Sequence, residues 1–233
     1  MTDQVSTIQT ADGYGYAVSQ EQRNRVMRNT YWLLALSLLP TVLGAWVGVA
    51  TGITQSLRGG MGLIVFLGGA FGFMYAIEKT KNSAAGVPVL LAFTFFMGLM
   101  LSRMIGSVLG FKNGAELIML AFAGTAGVFF TMASLATVIK RDLSSMGKWL
   151  MVGAIVLMVG GIINVFVGSS TGMVVIAMLA IGIFSAYMLY DLKQILDGGE
   201  TNYISATLAL YLDIFNVFQS LLALLGIFGG ERD

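Results

Sequence analysis

Asp213 stands near the middle of residues 204–228, ISATLALYLDIFNVFQSLLALLGIF, an apolar run about as long as a bilayer is thick. A mid-span aspartate costs about 3 kcal/mol to insert, whereas each Leu, Ile, Phe or Val returns about 0.3–0.6 kcal/mol. The fourteen residues of those four types in this run outweigh the acid, so the segment spans, and its carboxyl must face the interior of a helix bundle. At helical spacing Ala206, Ala209, Asp213, Asn216 and Ser220 share one face, and Leu208, Leu212, Phe215 and Leu222 lie away from it. A second acid, Asp191, stands in the preceding apolar run within SAYMLYDLKQIL, and only DGGETNY separates the two runs. So short a loop makes them antiparallel neighbours. Counted from the loop, Asp191 lies about six residues deep and Asp213 about ten, a depth difference of roughly 6 Å at 1.5 Å per residue.

Two carboxyl groups that meet in a low dielectric cannot both ionise cheaply, so the pair is expected to share one proton and to act as a pH sensor. Protonated, the pair can hydrogen-bond and hold the two helices together. Deprotonated, it repels itself and attracts a cation, and an all-oxygen site prefers a hard ion such as Ca²⁺. The plainer alternative is that each acid is a satisfied interhelical hydrogen-bond partner, with Tyr187, Tyr211 and Asn216 as the supporting polar groups.

The elements that must position these acids are membrane-spanning. The chain is 57 % hydrophobic and 11 % charged, with a mean hydropathy of +0.83; a soluble domain would carry about 25 % charged residues. It has no cysteine and no histidine, which removes disulfides, thiolate nucleophiles, imidazole bases and most transition-metal sites. The net charge of +1 and the scattering of the basic residues argue against a nucleic-acid surface. With no Ser/His or Cys/His constellation and no recognisable surroundings for an intramembrane aspartyl protease, the chain reads as a non-enzyme without a cofactor. Thirty glycines suit helices packed closely in lipid.

Residues 1–24 are polar and aperiodic and are expected to form a flexible tail without signal-peptide anatomy; residues 25–233 form the transmembrane domain. Seven apolar runs follow, at 31–49, 61–77, 84–109, 115–139, 149–167, 173–196 and 204–228. They predict an all-α integral membrane protein, a seven-helix bundle with the last helix central. Pro40 should kink the first span by freeing the carbonyl of Leu36. The basic residues Arg23, Arg25, Arg28, Lys79, Lys81, Lys140, Arg141, Lys148 and Lys193 fall on one side, against Arg58, Arg103, Lys112 and Arg232 on the other. That asymmetry puts the N-terminus in the cytoplasm and the C-terminus outside. Tyr31, Trp32, Trp149 and Tyr203 sit near span edges and read as interface anchors.

YDLKQIL, GGETNYI and ALYLDIFNVFQSLLALLG, with RNTYWLLALSL at the first span and KRDLSSMG between the fourth and fifth, closely resemble the Bax inhibitor-1 family, in particular its bacterial YccA-like branch. The resemblance covers nearly everything from Arg28 onward. It implies six helices around a seventh in a bacterial inner membrane, and an aspartate pair acting as the sensor of a pH-dependent calcium leak, with Ca²⁺ as the permeant ligand. Asp191 and Asp213 occupy the matching positions. Family members that act as leaks have an arginine latch at the end of the second helix; here the segment is EKTK, leaving Lys79 or Lys81 as the substitute, without the guanidinium's bidentate fork. The resemblance also implies an alternative role, as a protein-interaction partner that modulates the membrane-anchored AAA protease FtsH. In that role the N-terminal tail is the handle that a processive unfoldase needs.

Overall fold

The computed structural model describes residues 19–57 and 59–231. Among them are seven α-helices and no strands: α1 Gln20–Thr51, α2 Gly59–Thr80, α3 Gly86–Leu109, α4 Gly114–Val138, α5 Met146–Val167, α6 Ser170–Asp197 and α7 Tyr203–Gly229. Each is long and apolar enough to cross a membrane. The start of α1 and the α2–α3, α4–α5 and α6–α7 loops share one end of the bundle, which carries the larger group of basic residues and is called here the basic end.

The first helix departs from the expected boundary. The expected tail is 1–24, yet residues 20–24 belong to α1; residues 1–18, and with them most of the expected tail, lie outside the described residues. The cause is a cap: the Ser19 hydroxyl accepts from the Gln22 amide at 3.2 Å, and Val26 and Thr30 are then buried about two and three turns into the helix. The apolar run marks the membrane-crossing part of this helix rather than the whole of it. α1 also continues as helix past Pro40 to Gly52, whose φ of 66° ends it.

The closest helix pairing is α1 with α3. A Cβ at Gly98 would strike the Thr41 carbonyl oxygen, and one at Gly44 the Phe95 carbonyl oxygen, so these backbones touch only because both positions are glycine. α7 packs against α1, α2, α3, α4 and α6, whereas α5 packs only against α2 and α6. The leucine-rich side of α7 is also covered, with Phe215 and Leu222 both buried. α5 turns Trp149, Val156 and Phe166 outward.

Candidate functional site

The α6–α7 hairpin is fixed by its ends. Gly198, with φ of 83°, closes α6 by donating to the Gln194 and Ile195 carbonyls. Asn202 opens α7, its side-chain oxygen accepting from the Ile204 and Ser205 amides at 2.9 and 3.1 Å. The Asn202 amide group donates to the Lys81 carbonyl and the Asn82 side chain, at 3.2 and 2.8 Å, which ties the α6–α7 loop to the α2–α3 loop.

This hairpin brings Asp191 and Asp213 within hydrogen-bonding reach of each other. An ionised carboxylate only accepts, so a hydrogen bond between them requires a proton on one. Asp213 is 4 % exposed, and its Oδ2 has no partner among the described residues. Asp191 sits nearer the basic end, on the wall of a cavity of about 250 Å³ that it shares with Tyr190, Gln194, Glu200, Ala206 and Ala209. The two alanines leave the space, since a larger side chain at either would project into it. Glu200 brings a third acid close enough to act on Asp191 electrostatically, while its Oε1 accepts from the Asn202 backbone N–H at 2.7 Å. Among the described residues no three acids converge as one metal-binding group.

The supporting residues divide. Tyr187, one turn before Asp191, is in electrostatic range of both acids. Tyr211 does not join them: its hydroxyl meets the Thr41 hydroxyl at 2.9 Å and donates to the Thr94 carbonyl at 3.4 Å, pinning α7 to α1 and α3. Two residues along a helix turn about 200°, so Tyr211 points away from Asp213. The Asn216 amide donates back to the Leu212 carbonyl at 2.8 Å, a bond within its own helix. Neither lysine of the expected latch reaches the pair. The Lys81 ammonium takes the nearer carboxylate of Glu78 at 2.6 Å, and Lys79 lies over the Tyr75 ring at 5.5 Å. What links this corner to α7 is the Lys81 backbone carbonyl.

Sequence reasoning missed Glu200, Gln194 and Tyr190 as cavity residues, although Glu200 stands in the quoted GGETNYI motif. It also missed that Arg23 reaches across from α1 to donate to the Leu196 carbonyl at 3.4 Å, near the end of α6. The signal for that was the Ser19 cap, which extends α1 far enough to carry Arg23 on a helix.

A bundle of seven spanning helices with two facing acids on the last two defines a polytopic membrane protein with a buried polar site. The family model described as inhibitor of apoptosis-promoting Bax1 matches residues 23–230. The chain therefore belongs to the Bax inhibitor-1 family. It is 36 % identical over 203 residues to the Escherichia coli K12 protein named modulator of FtsH protease YccA, covering 87 % of this chain and 90 % of that one. The E. coli O6:H1 counterpart, matched to the same extent, is named inner membrane protein YccA. An uncharacterised protein of Neisseria meningitidis serogroup A is 34 % identical over 223 residues, covering 94 % of this chain and 98 % of that one.

Proposed function

We propose that this chain modulates a membrane-anchored AAA protease of the FtsH type, as a protein-interaction partner in a bacterial inner membrane. The observation that carries this reading is its likeness to YccA of E. coli, a protein named for that role, over nearly nine-tenths of the chain. The N-terminus is cytoplasmic and the C-terminus periplasmic in this reading, because the larger set of basic residues stays inside. The segment before Ser19 is the handle offered to the protease. Deleting residues 2–18 keeps the α1 cap and is expected to abolish association with the protease in detergent pull-down. Unchanged association would remove the handle from the proposal.

A second reading, a proton-sensitive cation leak, is favoured by one observation: the buried Asp213 has an oxygen without a partner among the described residues, and Asp191, within hydrogen-bonding reach of Asp213, lines a cavity nearer the basic end. Ca²⁺ takes six to eight oxygens. Two carboxylates supply at most four, so a calcium ion here would keep part of its water, which suits passage better than retention. Asp191 and Asp213 are the gate and ion site in this reading, while the Lys81 ammonium pairs with Glu78 and Lys79 lies over the Tyr75 ring in the conformation described. Radiolabelled calcium uptake by proteoliposomes should depend on pH in the wild type and lose that dependence in Asp213→Asn. Equal pH profiles would reject this reading and leave the first intact.

A further inference from the structure

Away from both of these, the basic end of α1 carries a cleft of about 500 Å³ lined by Asn24, Met27, Arg28, Tyr31 and Trp32. Their spacing of three and four residues puts all five on one face of the helix. The lining changes character along the helix axis. Arg28 and Asn24 are exposed at the outer lip, and no carboxylate or carbonyl of the described residues engages the Arg28 guanidinium. Tyr31 and Trp32 follow at the level where the apolar part of α1 starts, with Trp32 74 % exposed. That level is the membrane–water boundary, because exposed Trp149 at the start of α5 and exposed Tyr75 near the end of α2 stand at the same end of the bundle.

Below the lip the cleft runs down α1, because every described residue that lines it is on that helix, with α4 alongside. α1 packs on α3, α6 and α7, and α4 packs on those same three, but α1 and α4 do not pack on each other. Their tie here is an edge-on contact of the Tyr31 and Phe129 rings, 6.2 Å between centroids. The result is a slot along α1 with an apolar throat of Met27, Tyr31 and Trp32 and a cationic, amide-bearing rim at headgroup depth. A guanidinium and an amide offer donors to phosphate oxygens, and the throat suits hydrocarbon.

We propose that this slot is a docking site for an anionic phospholipid, its phosphate held by Arg28 and Asn24 and an acyl chain lying against Met27, Tyr31 and Trp32. An anionic headgroup is favoured over a zwitterionic one because, among the described residues, no acid lines the slot to receive an ammonium. Glu21, on the same helix face, is two turns further toward water, about 10 Å from Arg28 along the axis.

Trp32 is a built-in reporter. Trp46 and Trp149 are both largely exposed, so Trp46→Phe and Trp149→Phe leave a folded full-length chain with Trp32 as its single tryptophan. In vesicles of equal parts phosphatidylglycerol and phosphatidylethanolamine, brominating the acyl chains of one lipid at a time measures which lipid sits against Trp32. Brominated phosphatidylglycerol should be enriched about fivefold over bulk, the contribution expected of one basic side chain near a membrane surface. Arg28→Gln should return the ratio to bulk, Arg28→Lys should keep a preference, and Arg25→Gln, outside the slot, should change nothing. Equal quenching by the two lipids in the parent chain overturns the proposal, as does a preference that survives Arg28→Gln. Absence of quenching by either lipid, which an acidic protein segment covering the slot would produce, overturns it too.

Discussion

α5 and α7 are both uninterrupted apolar helices, and their environments are opposite. α5 is the most apolar of the seven spans and the least buried, with only Leu150 and Leu157 inside. α7 is less apolar and the most buried, covered on both its polar and its leucine-rich sides. In water the more apolar element goes inside; in lipid the hydrocarbon already satisfies apolar side chains, so the ordering follows polar and small groups instead. α7 has Thr207, Tyr211, Asp213 and Ser220 to bury, and α5 has nothing comparable.

The largest effect that would test this contrast is on stability. Tyr211→Ala removes a fully buried ring along with its bonds to α1 and α3, and should cost about 3–5 kcal/mol in reversible unfolding of the purified protein. Val156→Ala on α5, at 62 % exposed, should stay within about 0.5 kcal/mol. Comparable losses at the two positions would break the contrast.

Glycines sharpen it next. Gly98→Ala forces a methyl group against the Thr41 carbonyl and should destabilise by about 1–3 kcal/mol. Gly161→Ala on α5 meets nothing within 4 Å and should be neutral or stabilising by about 0.5–1 kcal/mol. Smaller again is Asn202→Ala, which removes the α7 cap and the tie to Lys81 and Asn82. About 1 kcal/mol is expected, with faster amide exchange in both loops.

The smallest effect lies in the α4–α5 loop. The Ser144 amide and hydroxyl donate to the Asp142 carboxylate at 2.8 and 2.6 Å and hold its carboxyl below the ordinary value. Because the folded value is the lower one, this turn is fully formed above the usual carboxylate range and is lost as pH falls through that lowered value. Asp142→Ala should speed amide exchange at Ser144 in neutral solution without moving the unfolding midpoint.

These contrasts also show what could be read from sequence. The seven spans were legible because each needs a run of apolar residues as long as the bilayer is thick, and the two acids were legible because nothing but an interior position tolerates them. The start of α1 was not, because hydropathy finds the membrane and a Ser19 cap sets the helix. Nor were the partners of Tyr211, since Thr41 and Thr94 lie on helices whose rotation depends on the contact around Gly44 and Gly98 rather than on any local pattern. The partner of Lys81 in this conformation was not legible either: Glu78, three residues before it, is nearer than either aspartate.

The most direct test of the proposed role is degradation of a membrane reporter by an FtsH-type protease in proteoliposomes, with this chain either absent, complete or lacking residues 2–18. The complete chain should slow reporter turnover, and the shortened chain should leave the rate as it is without any added protein. Equal rates in all three conditions, or equal slowing by the complete and the shortened chain, would contradict it.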